Sequence, residues 1–378
     1  MSLCIILFLL LKINNNMKAC LIGYNITNFV LATTLTKKGF EVDIVFEKKQ
    51  KKIVSNRTIG ISKHNIDYLG TIKINLKKFI WPINKIKIYN LKKQENEKIN
   101  FESSKGVNFF LIKYRDIFKI TEHIARKNKK IRLKNLSNTK ILNIEKKNNY
   151  DLVINSDSKN PIIKKFFFSK LSKDYKTSAF TGILRHKKIL NNTAFQIFTK
   201  YGPIAFLPCS AEETSIVFSV QKKYLLKIND IRNEILNSNP IFEVKGLDDL
   251  EKFDLKFSYS RKYIHKNILC FGDALHKFHP LAGQGFNMTI RDIELLNKII
   301  EKKIECGLEI DNSILFEFQK KIKSLNYIFG IGINFINDFF KIDSLVDGKL
   351  SKNIFEIFNR NTILKKYSIK FADSGVNF

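Results

Sequence analysis

Apolar and polar positions change their period twice between Met17 and Glu47. KACLIGY is a short apolar run, NFVLATTLTKKG has the apolar spacing of a helix and ends at Gly39, and FEVDIVFE alternates like a strand. A strand, a helix and a strand in such a short span predict a βαβ unit and therefore a parallel sheet.

The middle of the chain has a different pattern, in which short alternating runs are separated by turn formers. KIKIYNLKKQENEKINF predicts two strands joined by a polar turn, and FFLIKYRDIFKITEHIARKNK predicts a strand or turn that runs into a helix. TKILNIEKKNNYDLVINS predicts a hairpin around Asn148 and Asn149. SAFTGILRHKK, NTAFQIFTKYGPIAFLPCS and TSIVFSV add a block rich in strands, and NILCFGDALH returns the chain to the first sheet. We therefore predict an α/β fold with an inserted β-rich domain.

Net charge and cysteine usage restrict the class of protein. The net charge is +31, from 66 Lys and Arg against 35 Asp and Glu, which favours an anionic partner such as nucleic acid or a membrane surface. Lys, Ile and Asn fill nearly every segment, however, so the coding bias of an AT-rich genome is an equally good explanation. The five cysteines include no C-x-x-C pair, which indicates a reducing compartment and neither a disulfide framework nor a structural zinc site.

The first sixteen residues carry LCIILFLLLK, an apolar run too short to span a bilayer. They also lack the basic start and the cleavage site of a signal peptide. We interpret residues 1–16 as an extension and Met17 as the first residue of the fold.

The stretch CFGDALHKFHPLAGQGFNM, from Cys270 to Met288, concentrates ionisable and turn-forming residues between an apolar strand and a helix. Pro280 and Gly283 shape a turn, after which GQGFNMTIRDIELLNKII begins a helix. Its predicted core positions are Met288, Ile290, Ile293, Leu296 and Ile300. A helix start presents free N–H groups, so we expect an anionic group there.

The turn after the first strand, GYNITN, only partly fits a dinucleotide-binding turn. Gly23 takes the first position of G-x-G-x-x-G, but Asn25 and Asn28 take the second and third, where close approach and helix packing need glycine. Glu47, at the end of the second strand, stands where a carboxylate would accept hydrogen bonds from ribose hydroxyls. A solvated Glu47 beside Lys48 and Lys49 is the alternative.

GDALHKFHPLAGQGFNMTIRDIELL resembles the second flavin-contacting motif of the ubiquinone-biosynthesis hydroxylases, a branch of the aromatic-ring flavoprotein monooxygenases with the para-hydroxybenzoate hydroxylase fold. The matching positions are Gly272, Asp273, Ala274, His276, His279, Pro280, Gly283, Gln284, Gly285, Asn287, Arg291 and Asp292. NRTIGIS, GPIAFLPCSAEETSIVFS and FNRNTILKKYSIKFADSG resemble other segments of that family in the expected order, so the likeness runs from Met17 to Gly375.

The resemblance implies FAD as the cofactor and no metal. Asp273 would bind ribityl or phosphate-proximal hydroxyls, Pro280 would wall the flavin, and the backbone of Gly285, Phe286 and Asn287 would face its pyrimidine edge. The full set of implied cofactor-binding residues is Gly23, Glu47, Arg57, Asp157, Asp273, Gly283, Gly285, Phe286 and Asn287, with Pro280 and Gly285 as the flavin environment of the reaction. His276 and His279 are then structural or cofactor-facing. Arg291 and Asp292, in the first turns of the helix, either form a surface or inter-element ion pair or contact the cofactor.

The implied activity is hydroxylation of a polyprenyl phenol or quinone precursor of ubiquinone, with O2 and with NAD(P)H or a ferredoxin-type donor. The family's D-G motif is reduced here to NSDSKNPIIKK, with Asp157 retained, Ser158 in place of Gly and Lys164 near the position of an Arg. A second interpretation is therefore a degenerate paralogue that serves as a quinone- or lipid-binding scaffold without FAD. A specific nucleic-acid binder is not expected, because no motif of that class is present.

The expected organisation is an FAD-binding, Rossmann-like parallel-sheet domain, an inserted β-rich substrate domain and C-terminal helices. The ranges are 17–73, 106–176 and 262–340 for the FAD domain, 74–105 and 177–261 for the substrate domain, and 341–378 for the C-terminal region. Between Lys352 and Phe371, apolar and basic residues alternate, as in a helix lying on anionic lipid or one packed on its own domain. We expect a cytoplasmic protein, peripheral on the inner membrane face and in contact with a ubiquinone-biosynthesis complex.

Overall fold

In the computed structural model, the predicted βαβ unit is confirmed. Strand β1 (Lys18–Ile22) runs parallel to β2 (Glu41–Phe46), and helix α1 (Ile26–Lys37) joins them. Gly39 ends the helix with a φ of +96°, in the left-handed region that favours glycine. The structure describes residues 17–47, 57–90, 99–102, 109–146, 149–277 and 284–328.

The βαβ unit belongs to a mostly parallel sheet. Its strand order among the described residues is β16, β17, β9, β1, β2, β8, and only the β16 and β17 pair is antiparallel. The added strands are β8 (Ile131–Asn135), β9 (Leu152–Asn155), β16 (Ile264–His265) and β17 (Ile268–Cys270). Strands β1, β9 and β17 are almost wholly buried, which is why they are continuous apolar runs in the sequence.

Helices cover this sheet. They are α1, α3 (Tyr114–Lys127), α7 (Gln284–Glu305) and α8 (residues 313–328). All five predicted core positions of α7 are buried, which confirms the periodicity of that segment. Phe271, just after β17, stacks on Phe318 of α8 with ring centroids 5.5 Å apart, so α8 closes the core beside the end of β17.

A larger, mainly antiparallel sheet confirms the predicted β-rich part. Its members are β5 (Lys85–Asn90), β6 (Ile99–Glu102), β10 (Lys170–His186), β11 (Thr193–Thr199), β12 (Gly202–Pro208), β13 (Glu213–Gln221), β14 (Val244–Leu247), β15 (Glu251–Ser260) and β18 (His276–Lys277). Helix α6 (Ile231–Asn237) accompanies it, and Phe206, Phe218 and Phe242 lie in its own hydrophobic cluster.

A small third sheet links the two larger ones. It consists of β3 (Thr58–Ser62), β7 (Phe109–Lys113) and β4 (Trp81–Ile83), and helix α2 (Lys63–Thr71) follows β3 directly. Thr58 Oγ1 lies 3.0 Å from Ser215 Oγ of the large sheet, while Asn287 of α7 bonds the backbone of β3. Strand β3 is thereby held between the large sheet and α7.

The predicted hairpin around Asn148 and Asn149 is wrong. Helix α4 (Asn138–Leu142) and a turn of 3-10 helix (Asn143–Lys146) stand where its first strand was expected, and only β9 forms as a strand. Ser137 caps α4, and Ile141 and Ile144, three residues apart, both turn toward the core. This helical burial determines the local structure, and α5 (Pro161–Phe166) then follows β9.

Two predicted segments, the extension 1–16 and the C-terminal region 341–378, lie outside the described residues. Across the ranges that the structure does describe, every helix is too short or too polar to cross a bilayer. The domain boundaries proposed from the sequence stay predictions.

Candidate functional site

The candidate site lies at one edge of the parallel sheet, where β17, β9, β1 and β2 end side by side. The backbone joins these ends closely. Ser156 N donates to Ile22 O at 3.1 Å, Gly23 N donates to Val45 O at 2.9 Å, and Phe271 N donates to Asn155 O at 2.9 Å. Ligands of open α/β sheets bind at this carboxyl edge of the strands, so the loops that leave it are the ones to inspect.

Gly23 and Asp157 lie against each other at this edge. A Cβ on Gly23 would stand 2.8 Å from Asp157 Cβ, and the φ of Gly23 is +120°, which side chains rarely adopt. Asp157 itself is half-buried and accepts a hydrogen bond from Lys159 N. Two predicted cofactor-binding residues from distant parts of the sequence are therefore brought together, and Gly23 is required by both conformation and space.

Gly23→Ala should lower the free energy of unfolding by about 2 to 3 kcal/mol, because it adds both backbone strain and a clash with Asp157. Urea unfolding followed by circular dichroism measures the change. Gly70→Ala is the matched control, since Gly70 is helical and a Cβ there meets nothing within 4 Å. An equal effect of the two substitutions would contradict the assigned packing of Gly23.

The two asparagines that replace glycines in this turn fill it with side-chain amides. Asn25 is the N-cap of α1, and its Oδ1 accepts a hydrogen bond from Asn28 N at 3.0 Å. Its Nδ2 lies 3.0 Å from Ser156 Oγ at the end of β9. Asn28 is fully buried and donates from Nδ2 to Gly23 O at 2.7 Å. Asn therefore preserves the turn by hydrogen bonds rather than by the absence of a side chain.

Glu47 lies at the end of β2, where the sequence places it, and it is half-exposed. Its Oε1 accepts a hydrogen bond from Asn138 Nδ2 at the start of α4, at 2.9 Å. The Glu47 carboxylate therefore has a hydrogen-bond partner within the protein. The alternative of a solvated Glu47 did not predict this contact. Lys48 and Lys49 lie outside the described residues.

The Gly272–Asp273 turn lies between the N-terminal parts of two helices. Gly272 has a φ of +53°, and a Cβ there would stand 3.2 Å from Thr27 Cγ2 of α1 and 3.5 Å from Thr289 Cγ2 of α7. Asp273 is exposed on the outer side of the turn. The turn thus holds a carboxylate at the edge of the sheet while its backbone packs between α1 and α7.

Arg57 and Tyr114 complete this part of the site. The Arg57 guanidinium lies 4.5 Å from the centroid of the Tyr114 ring, and Tyr114 N donates to Arg57 O at 2.9 Å. Burial raises the pKa of Tyr114, the positive charge of Arg57 lowers it, and the negative charge of Asp273 raises it. Arg57 and Asp273 are therefore both within electrostatic reach of Tyr114. Tyr114 could not be identified from the sequence, because nothing distinguishes a site Tyr from any other Tyr at the start of an amphipathic helix.

Asn287 has a structural side chain. Its Nδ2 donates to Gly60 O at 2.9 Å, and its Oδ1 accepts from Ser62 N at 3.0 Å and from Asn65 Nδ2 at 2.7 Å. The neighbouring Gly285 and Phe286 are half-buried, and a Cβ on Gly285 would meet none of the described residues within 4 Å. The side chain of Asn287 thus fixes the start of α7 against β3, while the predicted role of its backbone stays a prediction.

His276 and Asp292 form a buried pair between β18 and α7. His276 Nε2 lies 2.9 Å from Asp292 Oδ2, and the two residues are 2% and 1% exposed. Of the two alternatives for Asp292, the structure shows the contact between elements. Three predicted residues of the intervening loop, His279, Pro280 and Gly283, lie outside the described residues.

Comparison with known sequences finds the FAD binding domain family, whose sequence model matches residues 229–305. The matched range contains the Gly272–Asp273 turn and all of α7. The matched range does not include the β1 to α1 turn.

Several curated relatives are named as monooxygenases or hydroxylases of ubiquinone biosynthesis. The chain is 28% identical over 179 residues to Ubiquinone biosynthesis monooxygenase COQ6, mitochondrial, of Dictyostelium discoideum, covering 37% of this chain and 36% of that protein. It is 22% identical over 275 residues to the protein of the same name from Schizosaccharomyces pombe, covering 60% and 57%. It is 26% identical over 151 residues to Ubiquinone hydroxylase UbiM of Neisseria meningitidis, covering 38% and 33%. The alignments thus span between 33% and 57% of the length of these relatives.

Solved structures share the fold over nearly the whole chain. A probable FAD-dependent monooxygenase of Pseudomonas aeruginosa, PqsL, superposes with a TM-score of 0.68 at 13% identity, covering 92% of this chain and 100% of that one. The p-nitrophenol 4-monooxygenase PnpA of Pseudomonas putida gives a TM-score of 0.72 at 10% identity, covering 96% and 99%. By sequence, the chain is similar to FAD-dependent monooxygenases and hydroxylases of ubiquinone biosynthesis, and its fold is that of solved FAD-dependent monooxygenases.

Proposed function

We propose that this chain is an FAD-dependent monooxygenase that hydroxylates the aromatic ring of a polyprenylated precursor of ubiquinone. The observation that carries the proposal is the convergence of Gly23, Asp157 and the Gly272–Asp273 turn at one sheet edge, with the turn packed between α1 and α7. The names of the sequence relatives support the reaction class and give no support to a scaffold without FAD.

The residues on the flavin side fit this cofactor. Asp273 offers an exposed carboxylate for ribityl hydroxyls, and Arg57 holds a positive charge over the Tyr114 ring. No described residue fills the space at Gly285, at the start of α7, whose N-terminal N–H groups favour negative charge. Bound FAD supplies the chemistry that activates O2 and passes one oxygen atom to the ring.

The protein's own contribution is then positioning and electrostatics. Asp273 would accept hydrogen bonds from the ribityl hydroxyls, and the Arg57 guanidinium would offset negative charge on the bound cofactor. The start of α7, fixed to β3 through Asn287, would favour the same negative charge without having to reorganise. Predicted contacts of Pro280 and Gly283 belong to this proposal as well.

We also propose binding partners and a cellular location for the protein. The substrate would carry a polyprenyl chain and be drawn from a membrane, and the net charge of +31 supports association with an anionic surface. Peripheral attachment to the inner membrane face from the cytoplasmic side and contact with a ubiquinone-biosynthesis complex belong here too. NAD(P)H and a ferredoxin-type protein are the two candidate reductants.

The proposal predicts incorporation of one atom from O2 into a prenylated phenol. Purified protein with FAD, a chemical or enzymatic reductant, heavy-isotope dioxygen and a panel of prenylated phenols should yield a labelled hydroxylated product by mass spectrometry. Heavy-isotope water should give no label in the same product. A protein that binds FAD but labels none of the phenols would contradict the proposed substrate class.

A further inference from the structure

The first turn of α1 is the part of the site that departs most from a dinucleotide-binding turn. Glycines at the second and third positions normally leave the helix N-terminus bare, so that a pyrophosphate can accept hydrogen bonds from its N–H groups. Here those positions are Asn25 and Asn28. Their contacts show what the side chains do instead.

Asn25 already supplies an acceptor to the helix end. Its Oδ1 binds Asn28 N at 3.0 Å, which is one of the N–H groups that a phosphate would otherwise reach. Asn28 Oδ1, buried at the same helix end, has no hydrogen-bond partner within the described part of the chain. Two acceptor oxygens thus lie where phosphate oxygens would be favoured, and acceptors do not pair with acceptors.

The turn is also pinned on both sides. Asn25 Nδ2 lies 3.0 Å from Ser156 Oγ, which ties it to the end of β9. Tyr24 OH bonds Glu122 and accepts from Arg126 at 2.5 Å, both of α3. The Tyr24 ring packs on Phe46 with centroids 4.6 Å apart. Opening the turn for a pyrophosphate would therefore break contacts to three elements.

Glu47, at the predicted ribose-binding position, also contacts the protein itself. Glu47, the carboxylate expected to bind ribose hydroxyls, accepts a hydrogen bond from Asn138 instead. On the flavin side, by contrast, Asp273 is exposed, and no described residue fills the space at Gly285. The flavin half of the site is therefore open to a ligand, whereas the adenosine half is occupied by contacts within the protein.

We propose that Asn25 is a cofactor-specificity residue, whose side chain takes the place of the pyrophosphate at the start of α1. The chain then holds flavin mainly through its ring and ribityl parts, and the adenosine diphosphate half of FAD adds little affinity. This inference rests on the proposed function, because it concerns how the same site holds its flavin.

The test compares FAD with riboflavin, which lacks the adenosine diphosphate half. Dissociation constants are measured by quenching of flavin fluorescence in the full-length protein. The wild type should bind FAD no more than about tenfold more tightly than riboflavin, since one occupied helix end removes a contribution of that order. Asn25→Gly should tighten FAD about tenfold and leave riboflavin within about twofold, because it bares the helix end for phosphate.

Asn25→Gly should fold, since Gly is tolerated at helix N-caps almost as well as Asn. Asp230→Gly is the matched control, because Asp230 is an exposed N-cap of α6 in the β-rich part of the chain and should change neither affinity. Wild type that binds FAD more than about tenfold more tightly than riboflavin, or Asn25→Gly that does not tighten FAD, overturns this inference alone. If wild type and variant bind neither flavin, the inference and the proposed function both fail.

Discussion

Replacement of His276 by leucine should lower the free energy of unfolding by about 3 to 5 kcal/mol, the largest stability effect expected in this chain. His276 Nε2 lies 2.9 Å from Asp292 Oδ2, and both side chains are almost fully buried. Leucine fills a similar volume but leaves the Asp292 carboxylate buried without that partner. Urea unfolding at neutral pH measures the loss.

The double variant His276→Leu with Asp292→Leu is the informative control. Replacing both members of a buried polar pair by apolar residues is often close to neutral, so the double variant should recover more than half of the loss. If the loss in the double variant equals the sum of the losses in the two single variants, the two residues are not coupled. A single-variant loss below about 1 kcal/mol would contradict the buried pair itself.

Asp273→Ala should weaken the binding of FAD about 10- to 100-fold, which is the scale of one or two hydrogen bonds to a charged group. The substitution removes the exposed carboxylate within electrostatic reach of Tyr114. Because the adenosine diphosphate half is proposed to add little, riboflavin should weaken by the same factor. Fluorescence titration with both flavins gives the two ratios.

Asp249→Ala serves as the matched control for Asp273→Ala, since Asp249 has a fully exposed side chain in the β-rich part of the chain. It should change neither flavin affinity nor the midpoint of unfolding. Unchanged affinity in Asp273→Ala would remove this residue from the site. A larger loss for FAD than for riboflavin would place it near the phosphates instead.

The sequence predicts those parts of the fold that depend on local periodicity. The βαβ unit and the apolar face of α7 follow from residues a few positions apart, and both are confirmed. The interpretation of the segment from Thr139 to Lys146 as a strand fails because its apolar residues are equally compatible with a helix. Only the burial of Ile141 and Ile144 on one side decides between the two.

Contacts between distant segments are harder to predict. The sequence identifies Gly23, Asp157 and Asp273 as candidates, but their convergence depends on the order of strands in the sheet. The hydrogen bonds of Asn287 to β3, and the position of Tyr114 beside Arg57, join residues that no spacing rule connects. Side-chain amides such as Asn25 are ambiguous for a further reason. Their role as a cap or as a ligand depends on which partner lies opposite.

The most direct test of the central claim is the absorbance spectrum of the purified protein before and after the addition of FAD. We expect protein-bound flavin, whose visible and near-ultraviolet absorbance bands are shifted from those of free FAD. We also expect a smaller bound fraction in Asp273→Ala. A folded protein that binds no flavin under either condition would contradict the assignment of this sheet edge as a flavin site.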